Sequence, residues 1–88
     1  MNRAKEMQNE IQKFIKYRDA VFTEAVMKDN WTGVRQYFKS CGLAAPEDEI
    51  IMRVATYKAV CQCTTIPKVV KKLAMAKSEA LGFPLEVQ

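Results

Sequence analysis

The sequence contains no histidine and only three glycines, three prolines and three cysteines among its 88 residues. Without histidine, the chain lacks the commonest general base and a frequent metal ligand of protein active sites. The scarcity of glycine and proline disfavours a β-rich fold and a low-complexity tail. Three cysteines do not suit the disulfide framework of a secreted mini-protein, so we expect reduced thiols and a cytoplasmic location.

Long apolar runs are scarce as well. No stretch approaches the roughly 20 apolar residues that a membrane span requires, so we expect no membrane partner. The charged and polar start of the chain does not have the apolar core of a signal peptide. There is no glycine-rich phosphate loop, and we expect no cofactor and no small-molecule substrate.

The residues that are present suit one small packed domain over residues 1–88. Apolar residues make up 49% of the chain and charged residues 27%, which is ordinary for a globular protein. The formal net charge of +4 permits a nucleic acid or an acidic protein partner but does not require one.

The first helix is predicted to continue to Lys28, because no glycine or proline precedes Asp29. Its apolar residues recur at steps of three and four, which places them along one face of the helix. They are Ala4, Met7, Ile11, Phe14, Ile15, Val21, Phe22, Ala25 and Val26. When these residues are assigned to heptads, they form an apolar seam along the helix. Arg18 also falls in this seam and is the only charged residue that interrupts it.

A short second helix is predicted over Trp31–Ser40. Asn30 is its candidate N-cap, since an asparagine side chain can accept a hydrogen bond from a free N–H of the first turn. Gly42 followed by Leu43 is typical of a glycine C-cap, in which the residue after the glycine folds back on the last turn.

Residues 46–82 are predicted to form a helical hairpin around a short polar turn. Pro46 would lie in the first turn of the third helix, followed by three acidic residues that complement the helix dipole. The predicted core side of this helix consists of Ile50, Ile51, Val54, Ala55, Tyr57, Val60 and Cys61.

The fourth helix is predicted to begin beside the turn, with Thr64 or Thr65 as its cap and Pro67 in its first turn. Gly82 and Pro84 would end it. Its predicted apolar stripe consists of Ile66, Val69, Val70, Leu73, Ala74, Ala80 and Leu81. Together the elements predict an all-α fold: a small four-helix bundle with a long first helix, a short second helix and a C-terminal helical hairpin.

The cysteines and the acidic residues do not form a convincing reactive site. A structural zinc site needs four ligands, and the two-residue step from Cys61 to Cys63 points their side chains about 200° apart on a helix. We therefore expect no metal and no enzyme activity. A third hypothesis is a thiol-dependent enzyme or redox sensor at Cys63, which precedes a helix start with Lys68 one turn on.

A nucleic-acid-binding domain is the alternative hypothesis. The start of the fourth helix carries Lys68, Lys71 and Lys72, and Thr65 precedes them. The spacing of Ala59, Cys63 and Val69 resembles the helix-turn-helix pattern of alanine, turn glycine and buried aliphatic residue. It departs from that pattern in having Cys63 instead of glycine and Lys72 instead of a second apolar residue.

The leading hypothesis is a non-enzymatic interaction module that uses the long first helix. That helix would be about 40 Å long, whereas the hairpin helices would each be about 25 Å, so the Met7–Ile11 end should stay uncovered. Exposed apolar surface on a helix is typical of a site for a protein partner or for a homodimer. Arg18 would snorkel to the rim, bind a carboxylate inside, or fix the register of a dimer.

Overall fold

The computed structural model of the protein describes residues 3–85 and confirms the all-α fold class. Four helices occur in this range: α1 (Arg3–Lys28), α2 (Trp31–Ser40), α3 (Glu49–Gln62) and α4 (Lys68–Ala80). No strand occurs between residues 3 and 85. Residues 1–2, at the beginning of the predicted first helix, and residues 86–88, in the short tail predicted after Pro84, lie outside the described residues.

The two glycine terminators are confirmed. Gly42 and Gly82 adopt φ angles of 72° and 91°, a region that only glycine enters without strain. The N–H of Leu43 donates to the Phe38 carbonyl at 2.9 Å, and that of Phe83 donates to the Ser78 carbonyl at 3.0 Å. Both bonds satisfy carbonyls that the helix ends would otherwise leave free.

The predicted cap of α2 is also present. The Asn30 side-chain oxygen accepts from the Gly33 N–H at 3.1 Å. Asp29 just before it has a φ of 55°, which turns the chain sharply from α1 into α2. Lys77 of α4 donates to the Val26 carbonyl and to the Asp29 carboxylate, so the last turn of α1 is tied to the end of the hairpin.

The predicted starts of the hairpin helices are wrong by two or more residues. Helix α3 begins at Glu49, because the Asp48 side chain accepts from the Ile50 and Ile51 N–H groups at 2.8 and 3.3 Å. Pro46 therefore lies before the helix. Helix α4 begins at Lys68, because the Pro67 carbonyl already accepts the first helical bonds.

The core sides of the hairpin helices also differ from the prediction. Ile50, Ile51 and Ala55 are exposed instead of buried, and so are Val69 and Ala80. The buried residues of α3 are Met52, Thr56, Tyr57, Val60 and Cys61. Those of α4 are Val70, Lys71, Ala74 and Ser78.

The core joins all four helices at the C-terminal half of α1. Phe22, Ala25 and Val26 are its buried α1 residues. They pack with Trp31, Val34 and Tyr37 of α2 and with the buried apolar residues of the hairpin. The rings of Trp31 and Tyr57 meet edge to face with centroids 5.6 Å apart, which joins α2 to α3.

Candidate interaction surface

The N-terminal half of α1 extends beyond the rest of the bundle. Every residue from 3 to 14 is exposed, and Ile15 is the first that is half-buried. Helix α1 has 26 residues, which corresponds to about 39 Å, and the longest dimension of the molecule is 51 Å. We call residues 3–14 the projecting segment.

Four large apolar side chains form a stripe along this segment and the turn that follows it. Met7 is 62% exposed, Ile11 54%, Phe14 48% and Tyr17 50%. Their spacing of four, three and three residues keeps them on one side of the helix. We call these four residues the apolar stripe.

The apolar stripe meets the bundle at Tyr37 of α2. The Tyr37 ring lies 5.8 Å from the Phe14 ring and 5.9 Å from the Tyr17 ring, measured between centroids. It also contacts Phe22 edge to face at 5.4 Å. Each of these pairs is in the range of favourable aromatic contacts, so Tyr37 anchors the base of the projecting segment.

Two shallow depressions flank α1 at this end. One, of about 370 Å³, is lined by Met7, Glu10, Ile11 and Phe14. The other, of about 490 Å³, lies where α1 passes the turn between α3 and α4, and is lined by Gln12, Ile15, Lys16, Asp19 and Thr65. The first is built from the apolar stripe and a single acidic residue, which suits an apolar side chain of a partner.

Arg18 lies half-buried beside the stripe and not on its exposed part. Its Nε and Nη2 donate to Asp19 Oδ1 at 3.2 and 2.9 Å. The hydrogen bond that Arg18 donates to Asp19 raises the pKa of Arg18, and desolvation by burial opposes this. Of the predicted partner-binding residues, Met7 and Ile11 are therefore exposed together, whereas Arg18 is bound to a neighbouring carboxylate.

The predicted lysine edge is only partly exposed. Lys68, Lys72 and Thr65 are exposed, but Lys71 is only 8% exposed. Lys71 lies on the buried side of α4, and its backbone carbonyl accepts a hydrogen bond from the Cys61 thiol at 3.8 Å. If all three lysines contacted the phosphates of a nucleic acid, Lys71 would have to lie at the surface.

The cysteines of the structure are all free thiols. Burial raises the pKa of the Cys61 thiol, and this outweighs the opposing effect of Lys71. A raised pKa keeps the thiol protonated and unreactive at neutral pH. Among residues 3–85, no three acidic or cysteine side chains are placed to hold a metal ion together.

Phe14 and Tyr17 belong to the exposed surface, although the sequence did not mark them as site residues. Phe14 lies in the predicted seam, one heptad after Met7, and Tyr17 follows it by three residues. Extending the Met7–Ile11 spacing would have identified Phe14. The exposure of Tyr17 depends on where Tyr37 packs, which local spacing does not reveal.

Comparisons with protein-family models, with curated proteins and with solved structures found no match. None of the helices within residues 3–85 combines the length and the apolar character needed to cross a membrane.

Proposed function

We propose that the protein is a non-enzymatic helical interaction module. Its projecting segment binds an apolar helix that belongs to a protein partner or to a second copy of the chain. The observation that supports this is the apolar stripe, which stays half-exposed although Tyr37 of α2 contacts its base. An accessory or inhibitory role in the cytoplasm suits the small size and the free thiols.

The size of the stripe fits this role. Half-exposed side chains such as Met7 and Tyr17 present on the order of 100 Å² each, so the four together offer roughly 400 Å². That is the size of the larger functional patches on monomeric proteins. A groove-binding helix uses anchors at steps of three and four residues, which is the spacing of the stripe.

A site-specific photo-cross-linker tests the proposal in cells. Benzoylphenylalanine placed at position 11 should give a covalent adduct with another polypeptide, because Ile11 lies at the centre of the stripe. The matched control is the same group at position 51, because Ile51 is 58% exposed and Ile11 54%. Ile51 lies in the first turn of α3, away from the projecting segment.

Two variants make the test quantitative. Met7→Glu together with Ile11→Glu should abolish the adduct from a benzoylphenylalanine at position 14, while Ile50→Glu with Ile51→Glu should leave it intact. Equal adducts from positions 11 and 51, or no adduct from position 11, would contradict the proposal.

A further inference from the structure

We propose that the apolar stripe binds a second copy of this chain, with the two projecting segments packed antiparallel about a twofold axis. This rests on the proposed function and deepens it by naming the partner. The grounds are the complementary sizes of the heptad seam residues Ala4, Met7, Ile11 and Phe14, the position of Arg18 and the apolar area available.

The seam of the projecting segment is self-complementary when it is read in opposite directions. Ala4, Met7, Ile11 and Phe14 occupy alternating a and d positions of the heptad. In an antiparallel pair centred near residue 9, Ala4 lies opposite Phe14 and Met7 lies opposite Ile11. The smallest residue of the seam thus faces the largest, and two residues of similar size face each other, as close packing requires.

A parallel pair fits less well. It would place each seam residue opposite its own copy, so Phe14 would meet Phe14 and Ala4 would meet Ala4. It would also bring Arg18 toward Arg18 of the second copy at the point where the helices enter the two bundles. Like charges facing each other oppose association, and Arg18 already has its hydrogen bonds with Asp19.

The other antiparallel registers are also disfavoured. A shift by one heptad toward the bundle would place Arg18 opposite Met7 and Ala4 opposite Val21, which is half-buried against the core. A shift the other way would leave Ile11 and Phe14 without an opposite seam residue. The register centred near residue 9 alone pairs all four seam residues of the projecting segment.

The available area predicts a weak dimer. Roughly 400 Å² of apolar surface from each copy, with the stems of flanking polar residues, gives about 1,000 Å² in total, the lower limit of specific interfaces. We therefore expect a dissociation constant of about 1–100 µM. The chain would be monomeric when dilute and dimeric when concentrated.

Glu10 gives the proposal a distinctive signature. It lies beside the seam and close to the twofold axis. In this register it faces Glu10 of the second copy. Removal of this repulsion by Glu10→Gln should tighten the dimer by about two- to fivefold. A partner of another sequence does not place a second Glu10 at the axis, so Glu10→Gln should not tighten its binding.

Sedimentation equilibrium of the purified chain measures these effects. The parent should show a monomer–dimer equilibrium, Met7→Glu with Ile11→Glu should weaken it by at least about tenfold, and Glu10→Gln should strengthen it. Ile50→Glu with Ile51→Glu is the control and should not change it. A chain that stays monomeric at millimolar concentration, or a Glu10→Gln variant that dimerises less, would overturn the proposal.

Thiol cross-linking tests the orientation. Gln8 lies on the other side of the seam and also faces its own copy in the antiparallel register, whereas Gln12 is turned away from the axis. In a Cys41→Ser, Cys63→Ser background, Gln8→Cys should be joined to a dimer by a short bis-maleimide much faster than Gln12→Cys. Equal rates would overturn the antiparallel arrangement.

The two proposals fail separately. A monomeric chain whose position 11 still forms an adduct with a different protein would overturn the second copy as the partner and would leave the interaction module standing. Absence of an adduct at position 11 in cells, in a chain that also stays monomeric, would overturn both.

Discussion

Tyr37 connects the projecting segment of α1 to the buried core. Its ring contacts Phe14, Tyr17 and Phe22 of α1, and it is itself buried. Burial raises the pKa of the Tyr37 phenol to about 12, with a hydrogen bond to Cys41 adding to the effect and Arg18 opposing it. The folded protein therefore favours the neutral phenol more strongly than the unfolded chain does.

The sign of this shift predicts a loss of stability at high pH. The stabilisation is fully present below the unfolded pKa of about 10 and is lost as pH rises toward 12, at a total cost on the order of 2 kcal/mol. We expect the free energy of unfolding, measured with urea between pH 9 and pH 11.5, to fall more steeply for the parent than for Tyr37→Phe.

The comparison with Tyr37→Phe isolates this residue. Burial also raises the pKa values of Tyr57 and Cys61, and both groups are present in the two proteins, so their contributions cancel in the difference. Parallel pH curves for the parent and for Tyr37→Phe would show that Tyr37 ionises as freely in the folded state as in the unfolded chain.

At the scale of the elements, the sequence predicted the number, order and ends of the helices better than their starts. Gly42 and Gly82 mark helix ends unambiguously, because the residue after the helix adopts a positive φ there and glycine favours that conformation. The start of α3 was ambiguous, since Pro46 and Asp48 both suit a helix start. The face that meets the core is set separately, by packing against the other helices, so Ile50 and Ile51 are exposed and Met52 is buried.

Tertiary packing also limited the prediction of the candidate sites. The exposed end of α1 followed from helix lengths alone, because a helix of 26 residues is longer than helices of 14 and 13 can cover. Lys71 is on the buried side of α4 together with Val70, Ala74 and Ser78. Its position in the hairpin is a tertiary effect that local spacing does not contain.

The corrected helix starts predict which capping residue matters. Asp48→Ala should lower the free energy of unfolding by about 1 kcal/mol, because two N–H groups of α3 lose their acceptor. Thr65→Ala should change it by less than about 0.5 kcal/mol, because Thr65 is exposed and α4 has no side-chain cap. Urea unfolding measures both, and a larger loss from Thr65→Ala would contradict the assignment.

At the scale of the whole molecule, the structure divides into a compact bundle and an exposed half-helix. The buried core residues of α1 all lie between Phe22 and Val26, and none of the residues 3–14 is buried. The projecting segment thus contributes little apolar burial to the fold of a single chain, and its apolar side chains remain in contact with solvent.

This division predicts that the bundle folds without most of the projecting segment. A chain without residues 1–12 keeps Phe14, Tyr17 and the whole core, so we expect its free energy of unfolding to stay within about 1 kcal/mol of the parent when both are dilute. The urea dependence of that free energy should change little, because little surface buried on folding is removed. Phe22→Ala, by contrast, should cost about 3–5 kcal/mol.

Protein concentration separates folding from association in the same experiment. If the projecting segments pair, the parent should gain stability as concentration rises, because the dimer forms only from folded chains. The chain without residues 1–12 should show no such gain, and neither should Met7→Glu with Ile11→Glu. A shortened chain that is unfolded when dilute would contradict this division, because it would mean that residues 1–12 stabilise the bundle of a single chain.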